Sequence, residues 1–463
     1  MNEIEREKLL KLFIAPTAEI YAGRALAGLL DWLPAGAHIK RKVCESWIKF
    51  FVFNVPNTFL IDGSTIMPLA VFEASGHLLS FKDPTLKCPT CGNIYRVDKL
   101  KELTGGELVC PADGTDLSNQ KVEERSLMME VKVGFTAESF NAALRPETAQ
   151  SIYVNYLNFK RLGLKTPFAI CQVGRSYRNE ISPRLSELRF REFTQMEIEE
   201  FVLPDQLDYH PFFDEVRSTS IRFCYDEKIE ETTVEEALEK GFLPNVRYAF
   251  WIAKEWSWLV EELKFPKEKL RFRIVPPEER AFYSRFTIDT EVLLNGKWIE
   301  IIGTAWRGDY DLTLHSKHSG APLREGGTVP HVIEPSFGLD RITLALIMLH
   351  YDFKPRDRRW PVLRIPYKFA PFDVGIAVVA HTKEYLNLVE KIDIFLRRNS
   401  FVTLNLAREG RISAQYAKAD LLGIPHVVTV DSETPTTGTV TVRDRESKQQ
   451  VRVKIENLID ILS

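Results

Sequence analysis

Gly174-Arg-Ser-Tyr-Arg-Asn-Glu180, a short loop, and then Leu188-Arg-Phe-Arg-Glu-Phe-Thr-Gln-Met-Glu197 form the stretch whose reading decides the fold. Residues 167–178 and 191–201 both read as strands, and residues two apart on a strand share a face. Arg178 and Glu180 should therefore point together. On the second strand Arg191, Phe193, Gln195 and Glu197 share one face, while Met196 and Ile198 take the other. That gives an apolar face for a core and a polar face with one aromatic for a ligand. A guanidinium holds a phosphate through two hydrogen bonds. A carboxylate accepts from an adenine amino group, and a phenyl ring stacks on a base. The competing reading is an exposed sheet face laced with salt bridges.

Working outward, Ile333-Glu-Pro-Ser-Phe-Gly-Leu-Asp-Arg341 runs into a helix whose Ile342, Leu344, Leu346, Ile347 and Leu349 are apolar nearly all round. Such a helix is expected to be buried, and an arginine in its first turn needs an anion, a π face or an internal carboxylate. In Trp298-Ile-Glu-Ile-Ile302, Glu300 points opposite Ile299 and Ile301, as a Mg²⁺ ligand facing ATP oxygens would.

The 463 residues suit two to four domains at roughly 100–200 residues each. Hydrophobic residues (44%) and charged residues (27%) stand in ordinary globular proportion, and a net charge of −3 excludes a wholly basic nucleic-acid binder while leaving room for a local patch. The N-terminus lacks the layout of a secretory leader, and no run approaches the roughly 18 apolar residues of a membrane span. Of the six cysteines, Cys88, Cys91 and Cys110 cluster, which reads as metal chemistry in a reducing compartment. A cytoplasmic protein is expected.

Residues 84–125 are short and polar and read as an inserted module. Cys88-Pro-Thr-Cys91-Gly is followed by Cys110-Pro-Ala-Asp113-Gly, so Asp113 stands where a Cys₄ ribbon has its fourth cysteine. A Cys₃Asp zinc site and a degenerate, empty one are both open. Residues 205–265 read as helical and charged. Pro355, Pro361, Pro366 and Pro371 mark a linker, after which strands alternate with helices as in a compact α/β domain with a mixed sheet.

These pieces resemble motifs 2 and 3 of the class II aminoacyl-tRNA synthetases, and within that class the chain resembles the glycyl-tRNA synthetases. The matching strings are Glu19-Ile-Tyr, Ala74-Ser-Gly-His77, Leu144-Arg-Pro-Glu-Thr-Ala-Gln150, Arg178-Asn-Glu-Ile-Ser-Pro-Arg184, Asp309-Tyr-Asp-Leu312, Val332-Ile-Glu-Pro-Ser-Phe-Gly338 and Thr439-Val-Thr-Val-Arg-Asp-Arg445. The resemblance implies an α+β fold: an antiparallel-sheet catalytic core over 1–365, with motif 1 ending near Pro68, motif 2 at 174–197 and motif 3 at 332–349. It implies a zinc-ribbon-like insertion at 84–125, a helical insertion at 205–265, and an anticodon-binding domain at 366–463, where Arg408, Arg411, Lys418 and Arg443 are candidate phosphate contacts.

It further implies that Arg178, Glu180 and Arg341 are the catalytic grip on ATP. Asn179, Leu188, Arg189, Phe190, Arg191, Glu192, Phe193, Glu300, Ile301, Gly338, Leu339 and Asp340 would line the same site. Arg96, Glu147, Phe193, Thr194, Gln195, Met196, Glu197, Arg307, Glu334, Pro335, Ser336, Phe337 and Gly338 would surround glycine. The implied partners are ATP with Mg²⁺, glycine and tRNA(Gly), and the implied assembly is a homodimer. Three departures stand out. Ser151 and Tyr153 replace an expected glycine and phenylalanine, and Trp306 replaces a small polar or acidic residue, where it could narrow the glycine pocket. Two alternatives are carried: a paralogue that is a nucleic-acid-binding or accessory protein, and one that activates another small amino acid.

Overall fold

The computed structural model describes residues 3–21, 27–135, 139–181 and 188–462. Ser182, Pro183 and Arg184 of the motif 2 string lie outside them. Helix α1 (Pro34–Trp47) lies near the start of the large domain. The strands that follow are β1 (Thr58–Ile61), β2 (Phe168–Tyr177), β3 (Glu192–Val202), β4 (Ser220–Tyr225) and β5 (Lys228–Thr233). After helix α2 (Val246–Ser257) come β6 (Leu270–Ile274), β7 (Phe286–Leu294), β8 (Lys297–Gly308) and β9 (His331–Gly338), which leads directly into helix α3 (Leu339–Leu349). These nine strands form one sheet in the order β5-β4-β6-β7-β8-β9-β3-β2-β1. It is antiparallel except at β1–β2 and β4–β6.

The sequence pattern explains which face is covered. Met196 and Ile198 of β3 are buried against the helices, as alternation predicts. Trp47, Phe51 and Trp258 converge on Phe337 of β9, with ring centroids 5.0–5.8 Å away. Helix α3, apolar all round, is buried along its length. Gly174 marks a close approach: a Cβ there would lie 2.0 Å from Nη2 of Arg145. That buried arginine donates to the carbonyls of Gly63 and Arg175 and ties β2 to the preceding loops.

Three expectations need correction. Strand β2 stops at Tyr177, so Arg178 and Glu180 lie in an irregular segment where the Glu180 N–H bonds back to the Arg178 carbonyl at 2.7 Å. Residues 220–233, read as helical, form the β4–β5 hairpin at the sheet edge. Its turn is Asp226-Glu227, both at positive φ (45° and 61°). Such a two-residue loop usually carries Asn-Gly. The proline-rich linker is packed rather than free: Val362, Leu363 and Ile365 are fully buried.

The C-terminal domain has β10 (Val374–Val378), α4 (Lys383–Arg398), β11 (Thr403–Asn405), α5 (Ile412–Leu422), β12 (His426–Val430), β13 (Thr439–Asp444) and β14 (Gln450–Lys454). Its mixed sheet runs β11-β10-β12-β13-β14, parallel around β10 and antiparallel beyond β12. Arg443 is not available to a phosphate. It is buried, pairs with both oxygens of Asp420 at 3.0 and 3.2 Å, and sits over Tyr416. Asp420 also takes Arg358 and Trp360 of the linker. Helix α1 touches both domains. Lys40 bonds Asp340 of α3 at 2.6 Å, and Lys42 bonds Asp373, beside β10, at 2.7 Å. Among the described residues no helix is long and apolar enough to cross a membrane.

Candidate functional site

A cavity of about 380 Å³ lies on the polar face of the large sheet. Strand register builds its floor. Glu197 of β3 pairs with Ser336 of β9, which pairs with Gly303 of β8. Gln195 pairs with Gly338, and Ala305 with Glu334. Gly303 and Ala305 have almost no side chain, so space remains above β8, bounded by longer groups on either side.

One end of the cavity carries cations and an unmet acceptor. The Arg178 guanidinium lies between Phe81 (5.3 Å) and Phe193 (5.2 Å), and its Nε donates to the Pro146 carbonyl at 3.2 Å. Arg341 is held by two backbone carbonyls, Leu188 at 3.1 Å and Glu300 at 2.8 Å, with the Glu300 carboxylate 3.6 Å away. Leu188 sits at φ 50°, turning its carbonyl toward Arg341. Glu180 is buried, and its Oε2 lies 3.4 Å from the Arg189 Nε without a hydrogen bond. Buried acceptors seldom stay unmet, so this oxygen is poised for a donor brought by a ligand.

The other end is acidic. Glu334 accepts two bonds from Nη1 of Arg307, each 2.9 Å, and Arg307 also pairs with Asp311 at 2.7 Å and approaches Glu147 at 3.4 Å. The Arg307 guanidinium is flanked by Tyr283 at 3.6 Å and Tyr153 at 5.3 Å. Glu197 accepts from Thr148 and from Ser336 at 2.7 Å. Glu199, behind it, accepts from Tyr153 at 2.6 Å and keeps its second oxygen unmet. Carboxylate oxygens of Glu197, Glu199 and Glu334 lie within 4.8 Å of one another. Burial raises the Glu199 carboxyl well above its ordinary range, and the neighbouring Glu334 and Glu197 raise it further. Burial pushes Glu147 the same way, but Arg307 and His77 outweigh it and hold that carboxyl below its ordinary range. The pocket therefore carries surplus acid around one guanidinium, which suits a small cation.

The two unexpected residues near Gln150 now have partners. Tyr153 supplies the hydroxyl that Glu199 accepts, which phenylalanine lacks. Ser151 Oγ bonds the Thr148 carbonyl at 2.7 Å and lies 2.6 Å from the Gln172 amide.

Of the expected nucleotide residues, the structure gathers Arg178, Glu180, Leu188, Arg189, Phe190, Phe193, Glu300, Ile301, Gly338, Asp340 and Arg341 at the cavity. Of the expected amino-acid residues it gathers Glu147, Phe193, Thr194, Gln195, Glu197, Glu334, Ser336 and Gly338, with Arg307 beneath. Others fall outside, mostly through strand alternation. Glu192 pairs with Arg175 on the far side of Phe193. Met196, Phe337 and Leu339 are in the core, and Pro335 is buried between Glu334 and Ser336. Arg191 donates to the carbonyls of Glu180 and Ala27, so it braces the segment rather than facing a ligand. Asn179 is exposed and bonds Leu127 through its backbone. Arg96 pairs with Asp83 (3.2 Å) and Asp98 (2.8 Å) in the insert. Asp340 is pinned by Lys40, Trp32 (2.7 Å) and the Thr194 N–H (2.5 Å), which locks α3 to β3. Trp306 does not narrow the pocket. It lies on the opposite face of β8 from Ala305, against His331 and Arg285.

Sequence reading missed the opposite wall, where Arg273, Asp289, Arg280 and Tyr283 stand. Arg273 pairs with Asp289 at 3.0 Å and Glu279 at 2.9 Å. The alternation of Arg271 and Arg273 with apolar neighbours in β6 was the available signal. Tyr283 sits in an irregular segment and gave none.

In the insert, Lys82–Lys87 pairs with Ile94–Arg96 and Glu123–Ser126 over a small core of Leu86, Cys88, Leu100, Cys110 and Leu117. Two loops match bond for bond. Cys88 N–H donates to Asn93 O and Gly92 N–H to Cys88 O, while Cys110 N–H donates to Thr115 O and Gly114 N–H to Cys110 O. Asp113 thus takes the place in the second loop that Cys91 has in the first. Ligand atoms of Cys88, Cys91, Cys110 and Asp113 lie within 4.8 Å of one another, with Cys91 and Cys110 sulfurs 3.7 Å apart.

Comparison with known proteins adds two findings. Residues 373–463 match the family model described as an anticodon binding domain. Over nearly its full length the chain is similar to three archaeal proteins, each named glycine–tRNA ligase. The Thermococcus kodakarensis protein is 33% identical, over 95% of this chain and 94% of the relative. The Methanothermobacter thermautotrophicus protein is 33% identical, over 97% and 96%. The Archaeoglobus fulgidus protein is 33% identical, over 100% and 96%.

Proposed function

We infer that this chain, which belongs to the glycine–tRNA ligase family, activates glycine with ATP to glycyl-adenylate and transfers the glycyl group to tRNA. The observation that carries the reading is one continuous cavity with arginines at one end and several glutamates around a single guanidinium at the other. ATP lies at the arginine end. Arg178 binds the α-phosphate, Phe193 and Arg341 flank the base, and Glu180 accepts from the adenine amino group. Glycine lies at the acidic end. Its ammonium meets Glu147, Glu197 and Ser336, and Arg307 holds Glu334 as the floor. The glycine carboxylate attacks the α-phosphorus and pyrophosphate leaves. Negative charge grows on the phosphate oxygens, where Arg178 stabilises it. The glycine carboxylate is already ionised, so no protein base is needed. Tyr283, Arg307 and the small Ala305 leave room for an amino acid without a side chain. Exclusion by crowding suits glycine because no smaller competitor exists.

Glu300 of β8 and Asp289 of the neighbouring β7 both line the cavity, and their carboxylates are hard-oxygen donors of the kind that suit Mg²⁺ accompanying ATP. Bound there, the ion neutralises phosphate charge. Zinc fits the insert. A tetrahedral ion with bonds of about 2.3 Å to sulfur sets its sulfurs about 3.8 Å apart, close to the Cys91–Cys110 spacing. Two copies pair through the sheet edge at β1, where Phe59, Leu60 and the nearby Phe53 are exposed apolar groups. None of the six cysteines forms a disulfide, which fits a reducing compartment such as the cytoplasm.

The test is ATP–pyrophosphate exchange with each amino acid in turn. Glycine alone is expected to stimulate it. Absence of exchange with any amino acid sinks the enzymatic reading, and exchange with alanine or serine but not glycine sinks the assignment of substrate.

A further inference from the structure

Behind Glu147 stands a relay that the reaction does not itself require. His77 Nδ1 lies 2.8 Å from Ser75 Oγ, and its Nε2 lies 3.4 Å from Glu147 Oε1. Ser75 and His77 are buried, at 0% and 1% exposure, and Glu147 at 5% is nearly so. The carboxylate beside Nε2 favours the tautomer that carries its proton there, in which Nδ1 accepts from the serine hydroxyl; that hydroxyl also lies 3.5 Å from the Phe72 carbonyl. Gln150 Nε2 at 2.9 Å and Arg307 Nη2 at 3.4 Å approach the same Oε1. With Gln150 and Arg307 bonded to Oε1 and His77 Nε2 beside it, Oε2 is the oxygen left for a ligand at the cavity wall. The imidazole cannot tilt freely, because Phe72 (6.2 Å), Phe81 (5.7 Å) and Phe282 (5.7 Å) box its ring. Phe81 is also one of the two rings that flank Arg178.

We propose that His77 is a positioning residue for glycine activation, fixing the Glu147 carboxylate at the angle an α-ammonium needs through the Ser75–His77–Glu147 relay. The inference rests on the reading that Glu147 receives that ammonium. His77 touches neither substrate. It acts by keeping one carboxylate oxygen occupied and the other presented, as an outer partner orients a ligand group in a metal site.

Exchange kinetics on the full chain test this with His77→Gln, His77→Asn and Glu147→Gln. Glutamine carries an N–H to about the place of Nε2, whereas asparagine reaches only the place of Nδ1. KM for glycine is expected within about threefold of wild type for His77→Gln and raised about tenfold or more for His77→Asn, the scale of one lost charge-assisted hydrogen bond. KM for ATP stays within about twofold in both, since the nucleotide contacts are untouched. Equal glycine KM values for the two His77 variants overturn the proposal. So does a parallel rise in KM for ATP, which marks collapse of the aromatic box rather than loss of a donor. Glu147→Gln separates the two layers. An unchanged glycine KM there refutes the ammonium reading itself. A raised one, with His77→Asn at wild-type values, refutes only the part given to His77. If His77→Asn does not fold, Ser75→Ala takes its place. Its glycine KM is expected to rise about threefold as the tautomer is freed, and a wild-type value overturns the proposal.

Discussion

Glu255 sits in α2 beneath the sheet, on the face opposite the cavity, and its carboxylate accepts from Thr290 at 2.9 Å and from Thr304. It is fully buried, and among the described residues its carboxylate pairs with the two threonine hydroxyls and with no cation. Burial pushes its carboxyl up to about 8 from an ordinary 4.5, and the two hydroxyls offset only part of that. At about 1.4 kcal/mol per unit the shift corresponds to roughly 5 kcal/mol between the ionised and neutral forms. Between pH 4.5 and 8 the folded chain holds a proton here that the unfolded chain has released. Stability should therefore fall as pH rises through this window and level off above it.

Glu255→Gln is neutral at every pH and can still accept from one threonine while donating to the other. It should match wild type near pH 4.5. Above pH 8 it should exceed wild type by several kcal/mol, about 5 at most. Urea denaturation at a series of pH values reads the difference. Trp251, Trp256 and Trp258 surround Glu255 in sequence and report through fluorescence. Comparing variant with wild type cancels every other titration. Parallel pH profiles for the two proteins would refute the reasoning, because they would mean that the buried carboxyl ionises without cost.

Four further outcomes are expected. Arg178→Ala should lower ATP–pyrophosphate exchange by about 10²–10³-fold, the scale for losing a preorganised charge at the reacting phosphate, with its melting temperature little changed; near-normal exchange in the folded variant removes the assigned role. Freshly purified protein should carry about one zinc per chain, and Cys91→Ser should lose it; a substoichiometric amount without chelators counts against the site. Trp306→Leu should leave amino-acid preference intact, since the ring faces away from the cavity, and should destabilise the fold by about 1–3 kcal/mol through lost packing; new exchange with alanine would contradict this placement. Replacing Phe59 and Leu60 with lysines should shift sedimentation from dimer to monomer, and an unchanged dimer places the interface elsewhere.

Patterns that repeat were legible in the sequence. Helix α3 could be read because it is apolar on every side, and β3 because charge and hydrophobicity alternate along it. Arg178, Glu180 and Arg341 emerged from local text because their residue types match a nucleotide's demands. The β4–β5 hairpin escaped because its turn uses Asp226 and Glu227 at positive φ, where a glycine would have announced it. Residues whose place depends on the other side of the sheet were not legible. Arg191 and Arg178 look alike in sequence, yet one donates to backbone carbonyls and the other lies against two aromatic rings at the cavity wall. Tyr283 enters the site from an irregular stretch with no period to read. Arg307 read as a substrate contact, but of its three acidic partners only Asp311 is local; Glu334 and Glu147 come from elsewhere in the chain.

Helix α1 joins the two domains mechanically. Lys40 and Lys42 are two residues apart, so they leave the helix about 200° apart around its axis. One grips Asp340 at the root of the nucleotide end, and the other grips Asp373 at the doorway of the C-terminal domain. The two grips leave opposite sides of the helix within about 3 Å along its axis, so a single turn holds both domains. A displacement of Asp373 therefore pulls on the same helical turn that holds the first turn of α3, and the reverse is equally true.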